Sequence, residues 1–442
     1  MKQITHFLID KSQPLTETVI INIIQQHLTN NVPLFKSREK YYNGDHKILT
    51  RELDEGRPNH KVVENMVNVV TNNFNGFALG NPVKYSGDNI EPILYNLKYN
   101  DVETEDINYY KQALIYGRGV ECSYLDGDGI NRFTTIDPAD VIPIYTADLE
   151  KQLLYVIRLI TTNNYELNNQ DYYIEIYDDT DKTLYKSVEG FNAIEYISKD
   201  KHYFNQIPYC IFDLNEEVEG CCDQVFSLQD SLDSLTSDSV NEVDAFVNSF
   251  LVITGANITS EQLKEMKRLR CLVLDNDSDA KFLNRDASQT NIEALKADIQ
   301  NRIFEVAGCA NFNDEAFGTA SGIALRYKLL NMLTRTSVWL GRFKQQLQKR
   351  IELISYILSL KGDSWVEVNI EFTLNIPQDS TEYANTVATL KGIVSDETLM
   401  QLLPFVQDPK QELDKVKEQK EADMELFYNQ PVNDNDLLGQ EA

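Results

Sequence analysis

The chain has 442 residues, of which 69 are acidic and 41 are basic, so its formal net charge is −28 at pH 7. This balance argues against a protein that wraps duplex DNA, because affinity for phosphates comes from clustered lysine and arginine side chains. It does not exclude a protein that surrounds DNA without gripping it, since an acidic wall repels phosphates and keeps a polyanion mobile.

The six cysteines are scattered at Cys122, Cys210, Cys221, Cys222, Cys271 and Cys309. They form no CxxC pair and no Cys/His spacing typical of zinc, so we expect reduced, mostly buried thiols in a cytosolic setting, with no metal and no cofactor. The first residues, MKQITHFLID, contain no signal-peptide core. No apolar run reaches the roughly 20 residues that a membrane span requires, so we expect no membrane partner.

The first half of the chain predicts helices followed by antiparallel strands. Helical patterns cover residues 1–40, about 60–74 and 104–117, with a turn at Asn43-Gly44. From 119 to about 212 short strands alternate with turns, one at residues 126–129 and one near Asp178-Asp179. The predicted fold class is therefore α+β.

Charges are segregated in the second half. Residues 202–263 contain eleven acids and no lysine or arginine, whereas residues 316–351 contain seven bases and no acid. The acidic stretch holds a long helix from about 223, which carries the carboxylates of Asp230, Asp233, Asp238 and Glu242. This pattern indicates a negatively charged surface on an assembled structural protein, and the alternative is an ordinary solvated helix.

The remaining pattern alternates between helices and short strand-like segments. Residues 251–291 form a compact insertion with the strand-like runs LVIT and CLVLD, and a second helix follows from about 292. A loop at 309–320 precedes the longest helix, 321–360; residues 364–376 alternate like a strand, and 381–428 are helical. We expect the last dozen residues to be disordered.

The longest predicted helix carries basic side chains every seven residues, at Lys328, Arg335, Arg342 and Lys349. Seven residues drift by only about 20° on a straight helix, so the four form a ridge. We predict that this ridge meets acids of a neighbouring subunit or faces DNA. The alternative is a solvated basic face.

Catalytic signatures are absent from the sequence. It contains neither a GxxxxGK[ST] phosphate loop nor GxSxG, and its five histidines show no HExxH spacing. Gly117-Arg118-Gly119 lacks a third glycine and predicts a tight turn. We therefore expect no enzyme; the alternative is a hydrolase that assembles distant carboxylates, such as Asp137 and Asp178.

Five segments, in order along the chain, resemble portal proteins of tailed bacteriophages with long noncontractile tails. They are RPNHKVVENMV (57–67), GNPVKY (80–85), SDSVNEVDAFVNSFLVITG (237–255), SGIALRYKLL (321–330) and LPFVQDPKQELDKVKEQKE (403–421). Each segment is weak alone, whereas five in this order are specific.

The resemblance implies a portal fold with a mixed α/β wing, two stem helices, a small α/β clip, a long wing helix and a helical crown. The wing would be 1–222 and 308–378, which includes the long helix 321–360. The stem helices would be 223–252 and 292–307, and the clip 253–291. The crown, shorter than in some relatives, and the disordered tail would be 379–442. A tunnel loop at 309–320 would bring Asn311, Asn313, Asp314 and Glu315 near DNA.

The resemblance also implies a dodecameric ring at one capsid vertex of the virion, assembled in the host cytoplasm. This ring would conduct double-stranded DNA without sequence specificity during packaging and ejection. The stem acids Asp230, Asp233, Asp238 and Glu242 would line its channel. Expected partners are the terminase motor, head-completion or adaptor proteins, and the major capsid and scaffolding proteins. The alternative is a capsid or adaptor protein without a DNA channel.

Overall fold

A computed structural model describes most of the chain. The described residues are 4–54, 58–164, 169–188, 190–247, 251–254, 259–261, 264, 279–282, 289–312, 322–360, 364–376, 386–401, 403, 406 and 409–428. The chain divides into two compact units, Met1–Asn375 and Ile376–Ala442, and each is described by itself.

The amino-terminal region contains one short strand and three helices. Strand β1 (Phe7–Ile9) is followed by α1 (Glu17–Gln26), a π-helical turn (His27–Asn31), α2 (Val32–Asn43) and α3 (Met66–Leu79). The predicted Asn43-Gly44 turn is confirmed, because Gly44 ends α2 in the left-handed conformation with φ +87°. The helix predicted at 60–74 instead begins at Met66 and continues to Leu79.

Helices α4 (Glu91–Tyr99) and α5 (Val102–Tyr116) lead into a strand-rich region. Strand β2 (Lys84–Ser86) precedes α4, and the strands that follow α5 are β3 (Arg118–Leu125), β4 (Asn131–Thr135), β5 (Val141–Thr146), β6 (Leu153–Asn164), β7 (Asn169–Tyr177), β8 (Asp181–Val188), β9 (Ala193–Lys201) and β10 (Tyr209–Asp213). Together with β1, strands β3 to β10 form a six-stranded sheet in the order β1-β5-β6-β7-β8-β9 and a three-stranded sheet β10-β3-β4. All neighbours within these two sheets are antiparallel except β1 and β5, which confirms the antiparallel prediction.

The core of the larger sheet is covered by α1. Ile20 and Ile24 of α1 pack in one buried cluster with Ile142, Ile157 and Ile174 of three neighbouring strands. Burying apolar side chains at about 25 cal/mol per Å² makes this contact a main source of stability for the region.

Gly117 forms the tight turn predicted for Gly117-Arg118-Gly119. It ends α5 with φ +78°, and a Cβ atom there would lie 2.3 Å from the carbonyl oxygen of Val218. Only glycine fits so close to another backbone segment.

Residues 226–307 contain a long helix, a pair of short strands and a second long helix. Helix α6 (Phe226–Val247) precedes β11 (Leu251–Thr254), which pairs antiparallel with β12 (Asp279–Phe282). Helix α7 (Gln289–Ala307) then packs against α6. The run CLVLD, predicted as strand-like, lies outside the described residues.

Helix α8 (Gly322–Ile357) is the longest element that the structure describes, and its apolar residues from Leu325 to Ile351 are spaced to form one stripe. Leu329, Met332, Leu340, Phe343, Leu347 and Ile351 are all buried. A 3-10 helix (Ser364–Glu367) follows, and then β13 (Asn369–Glu371), which pairs antiparallel with β2. The strand predicted at 364–376 is therefore only three residues long.

The second unit contains α9 (Asp396–Gln401) and α10 (Pro409–Tyr428), which pack against each other. The tail predicted to be disordered lies almost entirely outside the described residues. Among the helices that the structure describes, none combines the length and apolar character that crossing a membrane requires.

Candidate functional site

An extended segment lies along α6 and is held by side chains of that helix. We call residues 60–66 the strap. Every second backbone N–H of the strap donates to the side chain at every fourth position of α6. The pairs are His60 N to Asn241 Oδ1 (2.7 Å), Val62 N to Ser237 Oγ (2.9 Å), Glu64 N to Asp233 Oδ1 (2.9 Å) and Met66 N to Gln229 Oε1 (3.0 Å).

The two periods match because two residues of extended chain rise by about 6.6 Å and four residues of helix by about 6 Å. Carbonyl groups of the strap are also paired, since Gln229 Nε2 donates to Glu64 O at 2.7 Å and Ser237 Oγ to Val62 O at 3.3 Å. Gln229, Asp233 and Ser237 are fully buried. The face of α6 under the strap is therefore a buried polar ladder.

Sequence reasoning missed this ladder, although a signal exists. Gln229, Asp233, Ser237 and Asn241 recur at steps of four, which places them on one helix face. The apolar residues of α6 do not all lie in the core, since Val243 is 54% exposed.

The acids of α6 meet basic and histidine side chains from residues 46–60. The contacts are His46 Nδ1 to Asp233 Oδ2 (2.6 Å), Lys47 Nζ to Asp230 Oδ2 (2.6 Å), Arg51 Nη1 to Asp238 Oδ1 (2.6 Å) and His60 Nε2 to Asp244 Oδ2 (3.2 Å). The acidic stretch thus finds within its own subunit the positive charges that it lacks in sequence.

The channel-lining prediction is wrong for Asp233. Its carboxylate and the His46 side chain are both completely buried inside the subunit. Burial alone would lower the pKa of His46, but hydrogen bonds to Asp233 and to the Tyr41 carbonyl raise that pKa above its ordinary value. The pair therefore joins α6 to the residues before the strap through a short, buried hydrogen bond.

The channel-lining prediction stays open for the other three acids. The Asp230 carboxylate also accepts a hydrogen bond from Tyr41 Oη at 2.7 Å and is 27% exposed. The Asp238 side chain is 60% exposed, and Glu242 is exposed near the end of α6. Asp238 and Glu242 are thus the two that a solvent-filled channel could reach most easily.

The predicted tunnel loop is only partly described. Asn311 Nδ2 donates to Asn301 Oδ1 of α7 at 3.3 Å. Asn313, Asp314 and Glu315 lie outside the described residues, so their approach to DNA stays a prediction.

Three members of the basic ridge contact their own chain. Arg335 donates to the carbonyls of Ala307 (2.7 Å) and Val306 (3.2 Å), which satisfies the end of α7. The Arg342 guanidinium lies 3.4 Å from the Glu216 carboxylate. Lys349 contacts Glu352 at 3.0 Å and also Gln206. Lys328 is exposed, and the intersubunit role predicted for the ridge stays a prediction.

A buried ion cluster joins α8 to the region of the sheets. Arg350 Nη1 lies 2.5 Å from Asp106 Oδ1 of α5, and Nη2 lies 2.6 Å from Glu121 Oε2 of β3. Burial raises the pKa of both carboxyl groups, and the charge of Arg350 opposes that rise. This cluster was not predicted, because Arg350 is not part of the basic ridge that the spacing of the bases indicates.

The carboxylates named for the hydrolase alternative serve separate turns. Asp137 Oδ1 accepts from Ala139 N at 2.9 Å, and its other oxygen pairs with Lys36. Asp178 Oδ1 accepts from the backbone N–H groups of Thr180 and Asp181 in the β7–β8 turn. Among the buried carboxyls with raised pKa, Asp106 and Glu121 are bound by Arg350 and Asp223 is bound by Arg38.

The described part of the chain also contains no group of three or more histidine, cysteine, aspartate or glutamate side chains placed to hold a metal ion. Five cysteines, Cys122, Cys210, Cys221, Cys222 and Cys309, are buried and unbridged. This confirms the predicted buried thiols at those positions, whereas Cys271 lies outside the described residues.

Comparison with known proteins gives a consistent result. The family described as "Phage portal protein, SPP1 Gp6-like" matches residues 21–426. A portal protein of Bacillus phage SPP1 is 20% identical over 475 aligned positions, which cover 97% of this chain and 92% of that protein. A portal protein of Clostridium phage phiCD119 is 24% identical over 291 residues, 63% of this chain and 64% of that protein.

Among solved structures, one similar chain comes from the "Virion of native gene transfer agent (GTA) particle". It is 14% identical, with a TM-score of 0.43, and the match covers 76% of this chain and 88% of that one.

Proposed function

The chain belongs to the SPP1 Gp6-like family of phage portal proteins, and we propose that its copies form a ring that conducts the phage genome through one capsid vertex. The observation that carries this proposal is the family match over residues 21–426, which includes α6, α7 and α8. As a portal protein, the chain is a component of the phage particle. The family is structural, and we propose that the chain has no catalytic activity.

The path of the chain through residues 226–307 supports a stem-and-clip arrangement. A helix, a pair of antiparallel strands and a returning helix follow one another in the order that the resemblance implies. We propose that α6 and α7 are the stem and that the strand pair belongs to the clip. The packaging terminase and the head-completion or adaptor proteins would bind at the clip in turn.

We further propose a twelve-subunit ring with major capsid and scaffolding proteins as its other partners. Its channel would take double-stranded DNA without reading sequence and without holding it tightly, and α6 carries no lysine or arginine that would bind phosphates. An acidic wall repels the duplex and lets it slide. Asp238 and Glu242 are the exposed acids of α6 that support this role, together with the half-buried Asp230.

Packaging of DNA tests both the function and the channel wall. Phage particles assembled without this chain should contain no nuclease-protected DNA, and particles that fill with DNA in its absence would contradict the proposed function. Glu242→Lys replaces one negative charge per subunit by a positive charge at the proposed wall, a change of two charge units. Because lysine attracts phosphates, we expect the packaging rate to fall on the order of tenfold.

The matched control for this variant is Asp128→Lys. Asp128 is exposed in the β3–β4 turn and undergoes the same charge reversal away from α6. Its packaging rate should equal that of the unmodified protein. Equal packaging rates for both variants would show that Glu242 does not line the channel wall. The requirement for the chain itself is measured separately, with the particles assembled without it.

A further inference from the structure

Helix α8 presents exposed apolar side chains along one strip. Tyr327 is 75% exposed, Leu330 is 54% exposed and Val338 is 60% exposed. Together with Thr334, Gly341 and Gln345 they recur at steps of three and four, which places them on one face. We call these six residues the α8 strip.

This strip is unusual for a helix whose other face is already buried. Leu329, Phe343 and Leu347 are fully buried in the core, so a polar outer face is expected. Single exposed apolar residues are common on protein surfaces, whereas several aligned on one strip indicate a covered surface.

Gly341 is a second, independent observation on the same strip. A Cβ atom at this position would meet nothing within 4 Å, so the chain's own fold does not require glycine here. Glycine in the middle of a helix costs roughly 0.5–1 kcal/mol relative to alanine. Close approach by another surface accounts for that cost, because only glycine leaves the helix backbone accessible.

Charge indicates what covers the strip. Arg326, Lys328, Arg342 and Lys344 flank it, and residues 316–351 contain no acid. A partner therefore has an acidic surface with apolar groups at its centre. A neighbouring copy of this chain can supply acidic groups for such a contact, because its residues 202–263 contain eleven acids and no lysine or arginine. Duplex DNA would match the flanking bases but not the apolar centre.

We propose that the α8 strip is covered by an acidic surface of a neighbouring copy of this chain. The strip runs from Tyr327 to Gln345, about 27 Å at 1.5 Å per residue. A specific interface buries roughly 800 Å² on each partner, so the strip forms the centre of the contact and the basic side chains its rim. This inference rests on the proposed function, since it names one contact of the ring.

A photo-crosslinking residue at Val338 tests the contact in the full-length chain. Replacing Val338 by p-benzoylphenylalanine should give a product that joins two copies, at least about tenfold more than the same replacement at Leu149, if the strip lies in a packed interface. Leu149 is fully exposed in the β5–β6 turn and serves as the matched control. Products confined to one chain, or equal yields at both positions, would overturn the inference.

Charge at the strip provides a second measurement. Val338→Asp should leave the circular dichroism spectrum unchanged, because the side chain is exposed, but should raise the protein concentration needed for assembly at least about tenfold. Leu149→Asp should assemble like the unmodified chain. Unchanged assembly of Val338→Asp would overturn the inference.

These outcomes separate this contact from the proposed function. A channelled ring without crosslinks between copies at Val338 would contradict the strip contact alone. Crosslinked copies in an oligomer without a channel would support the contact and contradict the DNA conduit.

Discussion

Burying the Arg350 guanidinium removes a full charge from water, and the fold offsets this cost with two carboxylates. Its side chain has no exposed area, and it holds Asp106 and Glu121 from two different elements. The guanidinium carbon also lies 4.5 Å from the centre of the Phe133 ring. One residue thus ties the long helix to α5 and β3.

We predict that Arg350→Met lowers the free energy of unfolding by about 3–5 kcal/mol, because it leaves two buried carboxylates without a cation. Urea unfolding at pH 8 measures the change. Arg342→Met is the matched control on the same helix, since its pair with the 84% exposed Glu216 contributes at most about 1 kcal/mol. Equal losses for the two variants would contradict the structural role of the cluster.

The loss should also depend on pH in a defined direction. The pKa values of Asp106 and Glu121 are raised in the folded state, so their stabilising contribution is present below the unfolded pKa of about 4 and is lost as pH rises through the folded pKa. Removing Arg350 raises those pKa values further. The destabilisation by Arg350→Met should therefore be smaller at pH 5 than at pH 8, and a loss independent of pH would be inconsistent with this cause.

Single residues also mark the limit of prediction from sequence. Periodicity correctly places Asp233 and Asp238 on one helix, but it cannot say which of them another segment covers. Asp233 is buried by contact with residues 46–64, which are far away in the sequence. Arg350, seven residues beyond the buried Phe343, likewise gives no local sign of its two carboxylate partners.

At the scale of elements, the strap shows a helix face that binds extended chain through side chains. Three of its N–H groups and both partner carbonyls depend on the buried Gln229, Asp233 and Ser237. Because buried backbone groups without partners are costly, the ladder fixes both the path of the strap and the start of α3.

We predict that Asp233→Ala destabilises the protein by about 3–5 kcal/mol, since it leaves His46 buried without its partner and frees the Glu64 N–H. Hydrogen exchange should show faster exchange of the Glu64 amide, and urea unfolding should give the loss of stability. Asp230→Ala, one turn earlier and partly exposed, should cost about 1 kcal/mol and leave that amide protected. A protected Glu64 amide in Asp233→Ala would contradict the ladder.

Local sequence patterns predicted the positions of the long helices well. The long helices predicted at 223–252, 292–307 and 321–360 are found at Phe226–Val247, Gln289–Ala307 and Gly322–Ile357. The helix predicted at 60–74 begins six residues late, because α6 holds residues 60–65 extended. Strand β1 was missed for a similar reason, since only its parallel pairing with the distant β5 makes it a strand.

At the scale of the whole molecule, the two segregated charge stretches have different roles. The acids of α6 are largely paired with residues 46–60 of the same chain, so they stabilise the single subunit whether or not they also line a channel. Arg335, Arg342 and Lys349 of α8 contact their own chain, and we propose that the bases flanking the α8 strip, Arg342 among them, form the rim of its contact with a neighbouring copy. Charge segregation alone therefore indicated assembly but did not identify the residues that carry it.

We propose that copies of this chain enclose a channel wide enough for duplex DNA. Electron microscopy of the purified protein, with class averages viewed along the ring axis, measures this directly. We predict a closed ring of about twelve subunits around an open channel of about 20 Å or more, the width of a duplex, with α6 near its wall. A closed oligomer without a channel would contradict it and favour a capsid or adaptor protein.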